Sequence, residues 1–159
     1  MKIFIFDIDD TIILHTNQKI NYYDHPNKNT VLKDLINEIG YDKIYIYTNG
    51  TFGHGEEVVN NLYLNVDGIF ARDNIPYMKP HNPSFDYVNG QIMKDIKNDT
   101  INEIYFFDDM IDNLRTAKRK GWTTIWINHE ISIEEKPFFV DLLFTNIYEA
   151  LMWFILIKR

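Results

Sequence analysis

Residues 3–14 read IFIFDIDDTIIL. An apolar run stops at Asp7, Asp9 and Asp10 follow at once, and after Thr11 the apolar residues resume. KIFIFDI (2–8) is apolar at both alternating sets of positions, the pattern of a strand covered on both faces of a parallel sheet. A buried strand that ends in crowded carboxylates needs a partner for that charge, so strand ends are the place to look for chemistry.

Outward from this strand, β-rich runs alternate with amphipathic ones. TVLKDLINEIG (30–40) predicts a helix with Val31, Leu32, Leu35, Ile36 and Ile39 on one face and Gly40 as its stop. KIYIYTNG (43–50) predicts a second strand, GEEVVNNLYL (55–64) a helix, and VDGIFARD (66–73) contains a short strand. Further on come a helix at 83–96, a strand at 103–109, a helix at 111–121 closed by Gly121, and strands at 122–128 and 139–144. A helix at 146–159 is last. Strands that alternate with helices, with few hairpin signals, imply βαβ units and a parallel sheet with helices on both faces. The 159 residues suit one α/β domain, 1–159, with neither repeat nor linker to divide it.

Composition narrows the functional classes. The net charge of −7 disfavours general nucleic-acid binding through phosphate neutralisation. Without cysteine there is neither a disulfide framework nor thiolate chemistry. The start of the chain does not read as a signal peptide, and ALMWFILI (150–157) is too short to span a bilayer, so a cytoplasmic protein without membrane association is expected. The five histidines, His15, His25, His54, His81 and His129, lack metal-ligand spacing, which argues against zinc.

At the expected strand ends stand Asp7, Asp9, Asp10 and Thr11, then Thr48, Asn49 and Gly50, then Lys79 and Pro80 in a loop. Asp108 and Asp109 end a later strand, with Asp112 and Asn113 close behind. If those ends share one edge, several carboxylates converge, and like charges a few ångströms apart do not all stay ionised. A hard cation with oxygen ligands resolves the conflict, and Mg²⁺ is the natural one.

Asp7-Ile-Asp9-Asp10-Thr11 resembles the first motif of the haloacid dehalogenase-like phosphatases. Tyr47-Thr48-Asn49 resembles their second motif, Lys79-Pro80 their third, and Phe107-Asp108-Asp109 with Asn113 their fourth. The ordered set covers roughly 2–128. Response-regulator receiver domains use similar residues, but there the phospho-accepting aspartate precedes the threonine, whereas here the second acidic pair follows the lysine. Within the superfamily, Thr48-Asn49 with His54, Lys79-Pro80-His81 and Phe107-Asp108-Asp109 look nearest the pyrimidine 5′-nucleotidase-like branch.

The resemblance implies a Rossmann-like three-layer α/β/α sandwich around a parallel sheet. Its cap is absent or minimal, with 12–30 as a small flap over the site. It implies a Mg²⁺-dependent phosphomonoester hydrolase. Asp7 is then the nucleophile that becomes an aspartyl-phosphate, and Asp9 the general acid and base. Thr11, Thr48, Asn49, Gly50 and Lys79 contact substrate, with Thr48 and Lys79 also catalytic. Asp7, Asp9 through its backbone carbonyl, Asp108 and Asp109 hold the metal. Asn113 supports Asp109 or the metal's water shell. Dehalogenases of the superfamily lack the second aspartate, so Asp9 favours phosphoryl transfer. The expected substrate is a nucleoside 5′-monophosphate or other small phosphometabolite. A phosphoprotein or nucleic-acid end is the alternative that an uncapped site admits. A non-catalytic binding module ranks last, because Asp7, Asp9, Thr48, Lys79 and Asp109 are all present.

Several residues read more plainly. His54 is expected at a helix start or on the surface, ahead of a substrate contact. Tyr22 and Tyr23 are expected to pack a flap, and Lys118, Arg119 and Lys120 to favour a helix C-terminus. The apolar residues of 147–157 either complete the core or make a homodimer contact.

Overall fold

The computed structural model of the chain describes residues 1–15, 30–96, 103–130 and 136–157. The 16–29 part of the expected flap, with Tyr22 and Tyr23, lies outside the described residues. The elements run β1 (Lys2–Phe6), α1 (Val31–Glu38), β2 (Lys43–Tyr47), α2 (Phe52–Asn61), β3 (Gly68–Phe70) and α3 (Asn82–Ile96). They continue as β4 (Glu103–Asp108), α4 (Ile111–Arg119), β5 (Thr123–Ile127), β6 (Leu142–Phe144) and α5 (Ile147–Ile157). The strands form one six-stranded sheet in the order β3-β2-β1-β4-β5-β6, and every neighbouring pair is parallel.

The alternation of β1 explains the layers. Phe4 and Phe6 face one core with Leu32 and Ile36 of α1, Val58 and Val59 of α2, and Ala150, Leu151 and Phe154 of α5. Ile3 and Ile5 face the other core with Phe85, Val88 and Ile92 of α3 and Leu114 and Ala117 of α4. Successive side chains of a strand point to opposite faces, so an unbroken apolar run is what a central strand between two helical layers requires. The three-layer sandwich is thus present.

The elements differ from the sequence reading chiefly in their bounds: β6 is shorter than the expected 139–144, and α2 starts earlier. α2 begins at Phe52 rather than near Gly55, because Thr51 caps it: the Thr51 hydroxyl oxygen accepts the His54 N–H at 3.2 Å. The basic run ending α4 is tied to carboxylates as well as to the helix terminus, Lys118 to Asp141 and Lys120 to Asp86, both at 2.6 Å. α5 contributes Ile147, Ala150, Leu151 and Phe154 to the core, while Met152, Leu156 and Ile157 are exposed. Among the described residues no helix is long and apolar enough to cross a membrane.

The sheet order places the site. From β1 the chain moves outward through β2 and β3, then returns to β4 on the other side of β1. The strand order therefore reverses between β1 and β4, and ligands of open α/β sheets bind in the crevice beyond the carboxyl ends at such a point. Asp7 and Asp108 end these two neighbouring strands, with the Asp7 N–H donating to the Phe107 carbonyl at 2.9 Å.

Candidate active site

After β1 the backbone folds back tightly. The Ile8 carbonyl accepts N–H bonds from Thr11, Ile12 and Ile13 at 2.9–3.2 Å, and Asp10 adopts a left-handed φ of 58°. Aspartate tolerates that region better than most residues. The Asp10 carboxylate accepts the His15 N–H at 2.9 Å, so it braces this loop. The turn lets Asp7 and Asp9 both line one cavity of about 370 Å³, together with Asp10, Thr48, Gly50, Lys79 and Asp109.

Lys79 is the centre of the charge network. Its side chain is 1% exposed, and its ammonium donates to Asp7 Oδ1 at 2.9 Å, Asp108 Oδ2 at 2.6 Å and the Tyr47 carbonyl at 2.8 Å. It lies 5.0 Å from the Tyr47 ring centre and 5.4 Å from that of Phe106. Burial alone would depress its pKa, but the charges of Asp108 and Asp7 outweigh burial and raise it. Asn49 sets its position: the Asn49 amide donates to the Lys79 carbonyl at 2.9 Å and accepts the Lys79 N–H at 3.0 Å.

Asp7 is pushed up to about 7, chiefly by burial, which Lys79 opposes and Asp108 reinforces. Its other oxygen accepts the Thr11 hydroxyl at 3.1 Å. Asp109 is half-buried and pushed up to about 6 by burial and by the charge of Asp108. Asp7, Asp108 and Asp109 each bring one carboxylate oxygen within 4.8 Å of the others. Among the described residues no side chain donates a hydrogen bond to the Asp109 carboxylate. An all-oxygen set with a carboxylate short of positive partners fits a hard divalent cation.

Asp9 sits differently. Its Oδ1 meets His15 Nε2 at 2.6 Å and His54 Nε2 at 3.1 Å. Burial would raise its pKa, but the two histidine hydrogen bonds outweigh burial and hold it below the usual carboxylate range. The His15 pKa is raised in turn, mainly by that hydrogen bond.

The structure refines several expected roles. The Thr11 hydroxyl is buried and spent on Asp7, not turned to the cavity. The Asn49 side chain is spent on the Lys79 backbone, and the Gly50 N–H on Thr48 Oγ1 at 2.9 Å. Asn113 donates to both oxygens of Asp108 at 3.0 Å, not to Asp109. Asp108 also accepts the Met110 N–H at 2.8 Å, so its lone pairs serve Lys79 and the start of α4. Asp112 pairs with Arg115, outside the cavity. His54 stands at a helix start, as expected, and its ring also meets Asp9, whereas nothing in the sequence pattern points to His15. His15 lies six positions after Asp9 and no periodicity links them, so only the folded-back loop reveals the contact.

No protein-family model matches this chain, and no curated protein sequence does. Solved structures do match. The putative HAD-hydrolase YfnB from Bacillus subtilis, in a form bound to magnesium, superposes with a TM-score of 0.60 at 20% identity, over 77% of this chain and 54% of that one. The L-2-haloacid dehalogenase from Xanthobacter autotrophicus, with chloropropionic acid covalently bound, gives 0.55 at 17% identity, over 75% of this chain and 57% of that one. This chain thus spans little more than half the length of these two. An uncharacterized protein from Listeria monocytogenes serotype 4b gives 0.61 at 18% identity, over 97% of this chain and 98% of that one. Sheet order, layers and these superpositions agree that the chain has the haloacid dehalogenase-like fold.

Proposed function

We propose that the chain is a Mg²⁺-dependent phosphomonoester hydrolase that works through an aspartyl-phosphate on Asp7. The supporting observation is the convergence of Asp7, Asp9, Thr48, Lys79 and Asp109 on one cavity at the strand-order reversal. Asp9 separates this reading from dehalogenation, since a second carboxylate beside the nucleophile serves a reaction that must protonate a leaving oxygen and later deprotonate water.

Asp7 attacks phosphorus as the bond to the leaving oxygen breaks, and Asp9 gives that oxygen a proton. Water then attacks the phosphoryl group, Asp9 takes the water's proton, and the bond to Asp7 breaks to release phosphate. Lys79 neutralises charge on the transferring group, and Thr48 offers its hydroxyl proton to a phosphoryl oxygen. Asn113 and Met110 keep Asp108 in place, and Asp108 with Asn49 keeps Lys79 in place. Asp7, the Asp9 backbone carbonyl and Asp109 would hold Mg²⁺, which supplies the positive charge that keeps these carboxylates ionised.

The substrate proposed is a small phosphometabolite of about nucleoside 5′-monophosphate size. A second cavity of about 450 Å³, lined by residues including His15, Asn128 and His129, shares Asp10 and Asp109 with the first and offers room for a leaving group. The test is phosphate release from nucleoside 5′-monophosphates, sugar phosphates, a phosphopeptide and a 3′-phosphorylated oligonucleotide, with and without Mg²⁺, against Asp7→Asn. Release from one small class, lost in the variant, is expected. Release from the macromolecules alone would transfer the activity to a large substrate, and no release from any would reject the hydrolase.

A further inference from the structure

We infer that His15 and His54 form a clasp that dedicates one oxygen of Asp9 to structure and the other to proton transfer, so both are positioning residues of the hydrolase proposed above. Both rings place Nε2 on the same atom, Asp9 Oδ1, at 2.6 and 3.1 Å. One oxygen that meets both rings accepts from each in either charge state of Asp9 when both ring hydrogens are assigned to Nε2. With two N–H donors on Oδ1, the transferable proton belongs on Oδ2.

The placement of Oδ2 fits that role. A Cβ built on Gly50 would lie 3.8 Å from Asp9 Oδ2, 3.2 Å from Thr48 Oγ1 and 3.1 Å from His54 Cδ2. Asp9 Oδ2 and the Thr48 hydroxyl therefore approach the same small space, both on residues that line the catalytic cavity. The missing side chain of Gly50 lets the His54 ring come this close.

The two halves of the clasp come from different elements. His15 follows the folded-back loop after β1, and His54 lies in the first turn of α2, its N–H held by Thr51. A carboxylate 38% exposed and tethered by one partner could still rotate; two partners from separate elements fix its plane. The His15 side chain is 58% exposed, a setting in which an ion pair adds little to stability. The effect of the contact is thus on the orientation of Asp9.

In the first step the P–O bond to the leaving group breaks as Asp7 bonds phosphorus, and the departing oxygen takes the proton from Asp9 Oδ2. In the second, water oxygen bonds phosphorus, the bond to Asp7 breaks, and the water proton passes to Oδ2. The histidines keep their own protons throughout.

The experiment compares kcat/KM across aryl phosphates graded by leaving-group basicity, from p-nitrophenyl to phenyl phosphate, for the intact protein, His15→Ala, His54→Ala and the double variant. The constant kcat/KM reports the step in which the leaving group departs. Loss should grow with leaving-group basicity: in the double variant it should be about tenfold to a hundredfold larger for phenyl phosphate than for p-nitrophenyl phosphate. His54→Gln, whose amide restores an N–H donor, should recover most of the His54→Ala loss. Equal loss across the series, or none, overturns the clasp. Nitrogen-15 spectra of the histidine rings test it separately: both rings should carry Nε2–H, and lose that preference in Asp9→Ala. Rings protonated at Nδ1 alone in the intact protein would overturn the clasp whatever the activity. A clasp spectrum in a protein that releases no phosphate would reject the hydrolase and leave the clasp standing.

Discussion

Lys79 meets Asp108 and Lys118 meets Asp141 at the same distance, 2.6 Å, in opposite surroundings. The first pair joins the loop before α3 to the end of β4, with side chains 1% and 0% exposed. The second joins α4 to the start of β6 with side chains 40% and 32% exposed. In water the attraction between two charges is nearly cancelled by solvent, whereas inside the fold each charge has given up its hydration and depends on its partner. The buried pair is further committed: every ammonium hydrogen of Lys79 has an acceptor, and Asn113 and the Met110 N–H occupy Asp108. The exposed pair instead ties Asp141 to Lys118 and to the Thr124 N–H. Equal lengths thus conceal unequal consequences.

The largest expected effect is from Lys79→Met, which leaves Asp7 and Asp108 buried without their cation. Urea unfolding should show a loss of about 3–5 kcal/mol, and phosphate release should vanish. Adding Asp108→Asn to that variant should recover part of the stability and none of the activity. If Lys79→Met alone costs no more than an exposed pair, burial is not what separates the two sites.

Asn113→Ala comes next. It strips Asp108 of its amide donor but leaves Lys79 and the Met110 N–H, so a loss of about 1–3 kcal/mol is expected in the same assay. Lys118→Met should cost only about 0–1 kcal/mol, and rising salt should shrink that difference.

The smallest effect is a pH dependence. Burial would raise the Asp141 pKa, but hydrogen bonds from Lys118 and Thr124 outweigh burial and hold it below 3.8. A depressed folded-state pKa gives stability that is present above the unfolded value and is lost as pH falls through the folded value. The stability difference between the intact protein and Asp141→Asn should therefore be constant at neutral pH and shrink only below about pH 4. A difference that changes between pH 6 and 8 would assign the titration to another group.

Much of the site was legible because its signals are local. Asp7 and Asp9 share a strand end, Thr48 and Asn49 another, and Asp108 and Asp109 a third, so chain order with βα alternation was enough to collect them. The hydrogen-bond partners were not legible. Thr11 and Asn49 look like substrate contacts on a strand-end map, yet their side chains hold Asp7 and Lys79. Asn113 could serve either aspartate by spacing, and only the start of α4 aims its amide at Asp108. His15 and His54 are separated by 39 positions and share no pattern, so their meeting on Asp9 depends on a left-handed Asp10 and on where α2 begins.

The sequence by itself determined that this chain is an α/β protein with carboxylates at its strand ends, because hydrophobic period and motif order are written along the chain. The tertiary structure decided which carboxylate meets which cation or donor. Such pairings depend on distances of a few ångströms between residues up to 72 positions apart, as for Asp7 and Lys79, and sheet register and loop geometry set those distances.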